Sequence, residues 1–229
     1  VNVTDTAILA WHGSRNPAGR RLIERITRRV AGLLPRVATQ IAWVDVEPVL
    51  LAQTLATAGD CTVVPCFLTA GYHVSHDIPD AVASAPGEVR VTPHLGGSLD
   101  RALLARVAEA GGPGKAVVLA SAGSASPTAR AEVDAVAARL AGALGVPVRV
   151  GTIYQSGPSV GDALAATGEA DVLIVPYLLA PGLWCKRLAA LDARVAEPLG
   201  DHLDVAAAIA GRLLRTRRPS AQPALSLLS

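Results

Sequence analysis

The second half of this 229-residue chain repeats the first. "AILAWHGSRNP" (7–17) returns as "VVLASAGSASP" (117–127), "CTVVPCFLTAGYH" (61–73) as "VLIVPYLLAPGLW" (172–184), and "PHLGGSLD" (93–100) as "EPLGDHLD" (197–204), in the same order. Whatever the fold is, it must fit twice. Each copy then has roughly 110 residues, enough to bury a core of its own. The glycines and proline of "AGGPGK" (110–115) suit a linker, so lobes are expected over 1–110 and 115–214. The tail "RTRRPSAQPALSLLS" (215–229) lacks an amphipathic period and is expected to be disordered.

Within the first copy, apolar runs alternate with helical patterns. Strands are expected at 6–11, 40–46, 61–68 and 89–93, nearly continuous apolar runs of the kind buried on both faces. Helices are expected at 17–34, with Leu22, Ile23, Ile26, Val30, Leu33 and Leu34 on one stripe, at 48–58, at 77–85 opened by Asp77 and Pro79, and at 98–110. This alternation gives an α/β fold: two similar lobes, each a small parallel sheet flanked by helices.

Composition excludes several classes. With 51% apolar and 17% charged residues the chain is globular, and a formal charge of +2 announces neither a nucleic-acid nor a membrane partner. The longest apolar stretch, 172–184, is short for a bilayer and holds two prolines, and no secretory signal pattern opens the sequence. Three cysteines, an odd number, fit a reducing compartment, and a cytoplasmic location is expected. Cys61 and Cys66, five apart on one expected strand, point to opposite faces and cannot bridge.

The two copies differ where chemistry is most readily placed. His12 in the first is Ala122 in the second, and His73 is Trp184. A pair of histidines that only packed a core would not be expected to vanish together, so the difference favours a site in the first lobe alone. In open parallel sheets, ligands bind beyond the carboxyl ends of the strands where strand order reverses, commonly between the first and third. His12 ends the first strand and His73 follows the third, while the second, "QIAWVDVEP", ends in Asp45 and Glu47 on one face. Two imidazoles and a carboxylate make a site for Fe, Co, Ni or Zn with coordination positions left open.

Further candidates surround this group. His76 is a metal or proton-handling partner near a helix start, His94 lies in a loop after the fourth strand, and His202 is the remotest histidine. The "HGSR" turn also has the makings of an anion nest.

"HGSRNP", "WVDVEP" and "PCFLTAGYHVSHDIP", in this order and spacing, resemble the sirohydrochlorin chelatase family, the long two-half CbiX and SirB type. The likeness covers about residues 5–214, and "VLASAGS", "YLLAPGLW" and "AEPLG" are similar to the second half of its actinobacterial-looking members. The resemblance implies an ATP-independent class II chelatase whose two lobes face a central cleft. It has no permanently bound cofactor, with a divalent metal, Fe2+ or Co2+, as substrate. Carried over by residue, the active-site histidines fall on His12 and His73 and the acid best on Asp45, with Glu47 nearby; all three would ligate the metal.

The implied partner is sirohydrochlorin, a tetrapyrrole with eight carboxylates. Arg15, Ser14, Gly71 and Tyr72 are expected to bind it, and Arg20 and Arg21 add cations after the first loop. The implied reaction replaces two pyrrole protons by the metal, and an imidazole suits both tasks because its ordinary pKa lies near neutrality. Iron insertion giving siroheme is the first expectation, cobalt insertion toward cobalamin the second, and tetrapyrrole or metal binding without turnover the third.

Overall fold

A computed structural model describes residues 5–154 and 156–217. The first sheet holds β1 (Asp5–Trp11), β2 (Val37–Trp43), β3 (Cys61–Pro65) and β4 (Val89–Val91), all parallel, in the order β2-β1-β3-β4. The second holds β5 (Ala116–Ser121), β6 (Val148–Thr152), β7 (Val172–Tyr177) and β8 (Arg194–Val195) in the matching order β6-β5-β7-β8. Each order reverses between its first and third strands, which creates the crevice that ligands use in such sheets.

The helices are α1 (Pro17–Leu33), α2 (Leu51–Ala58), α3 (Ile78–Ala83) and α4 (Asp100–Glu109), then α5 (Pro127–Leu144), α6 (Val160–Ala165), α7 (Leu183–Leu188) and α8 (Leu203–Arg217). Asn16 opens α1, its side chain accepting the Ala18 N–H at 3.0 Å ahead of Pro17, a cap contributing about 1 kcal/mol. Along α1 the residues Leu22, Ile23, Ile26 and Val30 are buried, as is Leu34 at its end. Leu33, expected on the same stripe, is 54% exposed: the helix ends there and turns its last residue outward. Among the described residues no helix is long and apolar enough to cross a membrane.

Alternation along each central strand divides the interior. Ile8 and Ala10 face an outer core shared with α2 and α3, whereas Ala7, Leu9 and Trp11 face an inner core that also contains Val117, Leu119, Leu173 and Val175 of the second sheet. Cys61 lies in the outer core and Cys66 in the inner one, as their spacing requires, and both are unbridged. A third core covers the outer face of the second sheet.

The central layer is assembled by exchange. Helix α4, from the first copy, packs on α5 and β7, and α8, from the second, packs on α1 and β3. An arginine fastens each to a loop of the other copy. Arg106 of α4 donates to the Leu199 carbonyl at 2.9 Å, and buried Arg212 of α8 donates to the carbonyls of Pro93 (3.1 Å) and His94 (2.8 Å). The tail expectation begins at 215, yet α8 runs on to Arg217; residues 218–229 lie outside the described residues.

Candidate metal centre

At the carboxyl end of the first sheet, His12, Asp45 and His73 each place one donor atom within 4.8 Å of the others' donor atoms. The His12 and His73 rings meet edge to face, centroids 4.7 Å apart. His12 follows β1 directly. Asp45 is tied to it by the backbone, its N–H donating to the His12 carbonyl at 3.0 Å. Gly13 makes this approach possible: its φ is +105° and a Cβ there would collide with the Asp45 carbonyl.

Asp45 and Glu47 do not share a strand face as expected. β2 stops at Trp43, and the chain bends through Val46 at φ +70°, a rare conformation for a β-branched residue. The bend separates the two acids. Asp45 stays exposed beside the histidines, its Oδ1 accepting the Val46 N–H at 2.6 Å. The Glu47 side chain, 5% exposed, turns inward to pair with Arg20 at 2.9 Å and to accept the Ser14 N–H at 3.3 Å. Glu47 thus fills the anion nest expected in the "HGSR" turn, and Arg20, which also donates to the Ser14 carbonyl at 2.9 Å, is engaged within the loop.

His73 opens a π-helical turn (His73–Asp77) that runs into α3. Asp77, expected as the opening cap of that helix, makes no cap bond. Its Oδ2 instead lies 2.6 Å from His73 Nδ1. A carboxylate accepting the Nδ1–H of a ligating histidine fixes the tautomer and leaves Nε2 as the donor. A π-turn widens the i to i+4 geometry locally and is a frequent mark of functional sites. The signal in the sequence is the spacing His73-x3-Asp77 on a helical turn, which puts the two side chains on one face.

The remaining candidates separate clearly. Arg15, Tyr72 and Ser14 line the cleft between the lobes, a space of about 1820 Å³, far larger than the roughly 300–1000 Å³ of ordinary small-molecule pockets. Arg15 and Tyr72 are exposed there, while the Ser14 hydroxyl is occupied within its own loop, 3.2 Å from the Asn16 N–H. Gly71 also lines the cleft, its carbonyl accepting the N–H groups of Val74 and Ser75 at 3.1 Å. Arg21 is exposed on α1 and does not line the cleft.

The other histidines stand outside the donor cluster. His76 stacks on Tyr72 at 4.5 Å and 12°. His94 is a pin: its Nδ1 accepts the Gly96 N–H at 3.1 Å, so Nε2 donates to Glu132 of α5 at 3.1 Å. His202 accepts the Asp204 N–H at 3.2 Å, where α8 starts.

The second lobe holds the loop that carries His73. Glu132 Oε2 accepts the Ala70 N–H at 2.8 Å, and buried Tyr177 donates its hydroxyl to the Leu68 carbonyl at 3.2 Å. Burial pushes the Tyr177 phenol up to about 12. Burial likewise drives the Cys66 thiol well up, with Arg212 opposing, so it stays a protonated core residue rather than a metal ligand.

A model of the CbiX family matches residues 6–110 and again 116–216. Among solved structures, SirB from Bacillus subtilis with Fe3+ is 21% identical, TM-score 0.76, over 93% of this chain and 96% of that one. SirB from Bacillus subtilis subspecies spizizenii in complex with cobalt is 20% identical, TM-score 0.73, over 93% and 95%. CbiX, described as the terminal enzyme for biosynthesis of siroheme in denitrifying bacteria, is 23% identical, TM-score 0.72, over 94% and 100%. No curated protein sequence matches significantly.

Paired four-stranded parallel sheets around a cleft define the chelatase fold, and the protein is an ATP-independent class II metal chelatase. The chain belongs to the CbiX/SirB family of sirohydrochlorin chelatases, in its two-half form.

Proposed function

We propose that the protein is a sirohydrochlorin ferrochelatase, which inserts Fe2+ into sirohydrochlorin to give siroheme and releases two protons. The first lobe, 1–110, would carry the chemistry, and the second, 115–214, would complete the cleft. The observation that carries the reading is the open His12–Asp45–His73 cluster on the wall of a large cleft. Three ligands deliver a metal better than four, because an incomplete set holds the ion without trapping it. In this reading the cluster presents M2+ to the macrocycle, and as each metal–pyrrole bond forms the metal–imidazole bond breaks, so the freed ring nitrogens of His12 and His73 take up the two pyrrole N–H protons. Asp77 holds the His73 ring in place for both tasks.

The peripheral carboxylates of the substrate would meet Arg15 and Tyr72, with Ser14 and Gly71 shaping the cleft beside them. The free, unbridged cysteines fit a reducing compartment, and we place the reaction in the cytoplasm.

Two imidazoles and a carboxylate accept Co2+ as readily as Fe2+. Cobalt insertion is therefore the second reading, favoured by the cobalt complex of the spizizenii SirB. The test is anaerobic metal insertion into sirohydrochlorin, followed by absorbance, without ATP and with Fe2+ and Co2+ in separate and competing arms. We expect insertion faster than the uncatalysed control, with iron preferred. Preference for cobalt supports the second reading, and equal rates with and without protein leave a binding protein only.

A further inference from the structure

The second lobe has kept the architecture of the metal centre and replaced its side chains. The Ile153 N–H donates to the Ser121 carbonyl (2.9 Å) as Val44 does to Trp11 (2.8 Å), and Tyr154 to Ala122 (3.0 Å) as Asp45 does to His12 (3.0 Å). Gly123, at φ +93°, stands where Gly13 stands. The structural counterparts of His12, Asp45 and His73 are therefore Ala122, Tyr154 and Trp184. None of the three is a ligand for a borderline divalent cation.

What replaces the ligands is a pair of aromatic rings. Tyr154 and Trp184 meet edge to face, centroids 6.0 Å apart and planes at 87°, and both line the same cleft as the metal cluster. Neither ring is spent on a core: Trp184 is partly exposed and Tyr154 is 66% exposed. Large aromatic surface left open in a cleft marks a ligand-binding surface. Arg187 of α7 lies 5.5 Å from the Trp184 ring centroid, bringing a cation to the indole.

We propose that Tyr154 and Trp184 form the macrocycle-gripping subsite of the enzyme, the second lobe's former metal position converted to hold a flat conjugated ring. Two rings at nearly a right angle form a corner, so a flat ligand can lie face-on against only one of them. Trp184 takes the face of the tetrapyrrole. Tyr154 abuts its rim, where the phenol O–H is a donor for a peripheral carboxylate. The subsite rests on the reading of sirohydrochlorin as substrate.

The test separates ring binding from metal binding in the whole protein. Affinity for metal-free sirohydrochlorin is measured by absorbance titration, and affinity for Co2+ alone by its visible spectrum, for the native protein, Trp184→Ala, Trp184→Phe, Tyr154→Ala and Tyr154→Phe. Expected are a Kd for the tetrapyrrole at least about tenfold weaker in Trp184→Ala, substantially restored in Trp184→Phe, and a smaller loss in Tyr154→Ala shared in part by Tyr154→Phe. Co2+ affinity stays within about twofold throughout. Tyr154 is exposed enough that its truncation threatens no core, so it decides the matter if Trp184→Ala fails to fold. Unchanged tetrapyrrole affinity in a folded Trp184→Ala, or in Tyr154→Ala should the former not fold, overturns the subsite alone. A native protein that binds no sirohydrochlorin overturns both the subsite and the proposed substrate. Ring binding lost on Trp184→Ala in a protein that inserts no iron supports the subsite and overturns the proposed ferrochelatase activity.

Discussion

The two lobes of this protein share a strand order, a glycine turn at the end of the first strand and the same pair of backbone bonds joining that turn to the next strand, yet three side chains set them apart. In the first lobe those positions hold His12, Asp45 and His73, with Asp77 braced behind; in the second they hold Ala122, Tyr154 and Trp184. The backbone thus supplies a place at the carboxyl end of a sheet, and the side chains decide whether it takes a cation or an aromatic ring. A repeat need not lose function when it loses ligands. It can take over another part of the same substrate.

The largest effect should come from removing a ligand. His12→Ala and His73→Ala are each expected to lower turnover about 100-fold or more, while Trp184→Ala stays within about tenfold of native at saturating tetrapyrrole. Steady-state kinetics with melting temperatures check this. A folded Trp184→Ala as inactive as His73→Ala at saturation would break the division of labour between the lobes.

Asp77→Asn sharpens the first lobe's side of the comparison. Weakening the partner of Nδ1 should cost about ten- to 100-fold in Co2+ affinity, with sirohydrochlorin affinity unchanged, since the second lobe has no such partner to lose. If metal affinity is native, Asp77 is only part of the turn.

The smallest effect concerns the seam between the lobes, at Tyr177. Its phenol, held at about 12 by burial, stays protonated in the folded protein while an unfolded tyrosine ionises near 10. Below about pH 10 both states carry the proton and nothing is lost. Above it the unfolded chain binds fewer protons than the folded one, so stability falls, by about 1.4 kcal/mol at pH 11. Denaturant unfolding at pH 9 and pH 11 should show this drop in the native protein and lose that part of it in Tyr177→Phe. Identical drops would show that the hydroxyl bonded to Leu68 is not the group responsible.

Much of this was legible in the sequence because local signals agreed. β1 and β3 follow from apolar runs and α1 from its apolar stripe, and the histidine pair stands out where one half differs from the other. The acid was not settled, because the bend at Val46 that parts Asp45 from Glu47 depends on the Gly13 turn and on Arg20, contacts made through space. Asp77 has the sequence position of a cap, since aspartate at a helix start usually is one, and only the π-turn redirects it to His73. Tyr154 carries no such signal, because the second strands of the two halves share no phrase comparable to those at the first and third. The helical pattern predicts α4 but not α8, and nothing in it says that α4 covers the second sheet and α8 the first.

That exchange of helices bears on the order in which the molecule can be made. Synthesis runs from the amino end, so His12, Asp45 and His73 emerge early, on a sheet whose inner face is covered in the finished structure by α1 and by α8, the last of the described elements. A nascent chain ending at residue 110 has His12, Asp45 and His73 but lacks Arg212 and Ile209, and its own helix α4 has no second sheet to rest on. The lobe that comes first is therefore finished last. The part of its inner apolar surface that α8 covers stays open for as long as the second lobe takes to leave the ribosome, at about 5–20 residues per second.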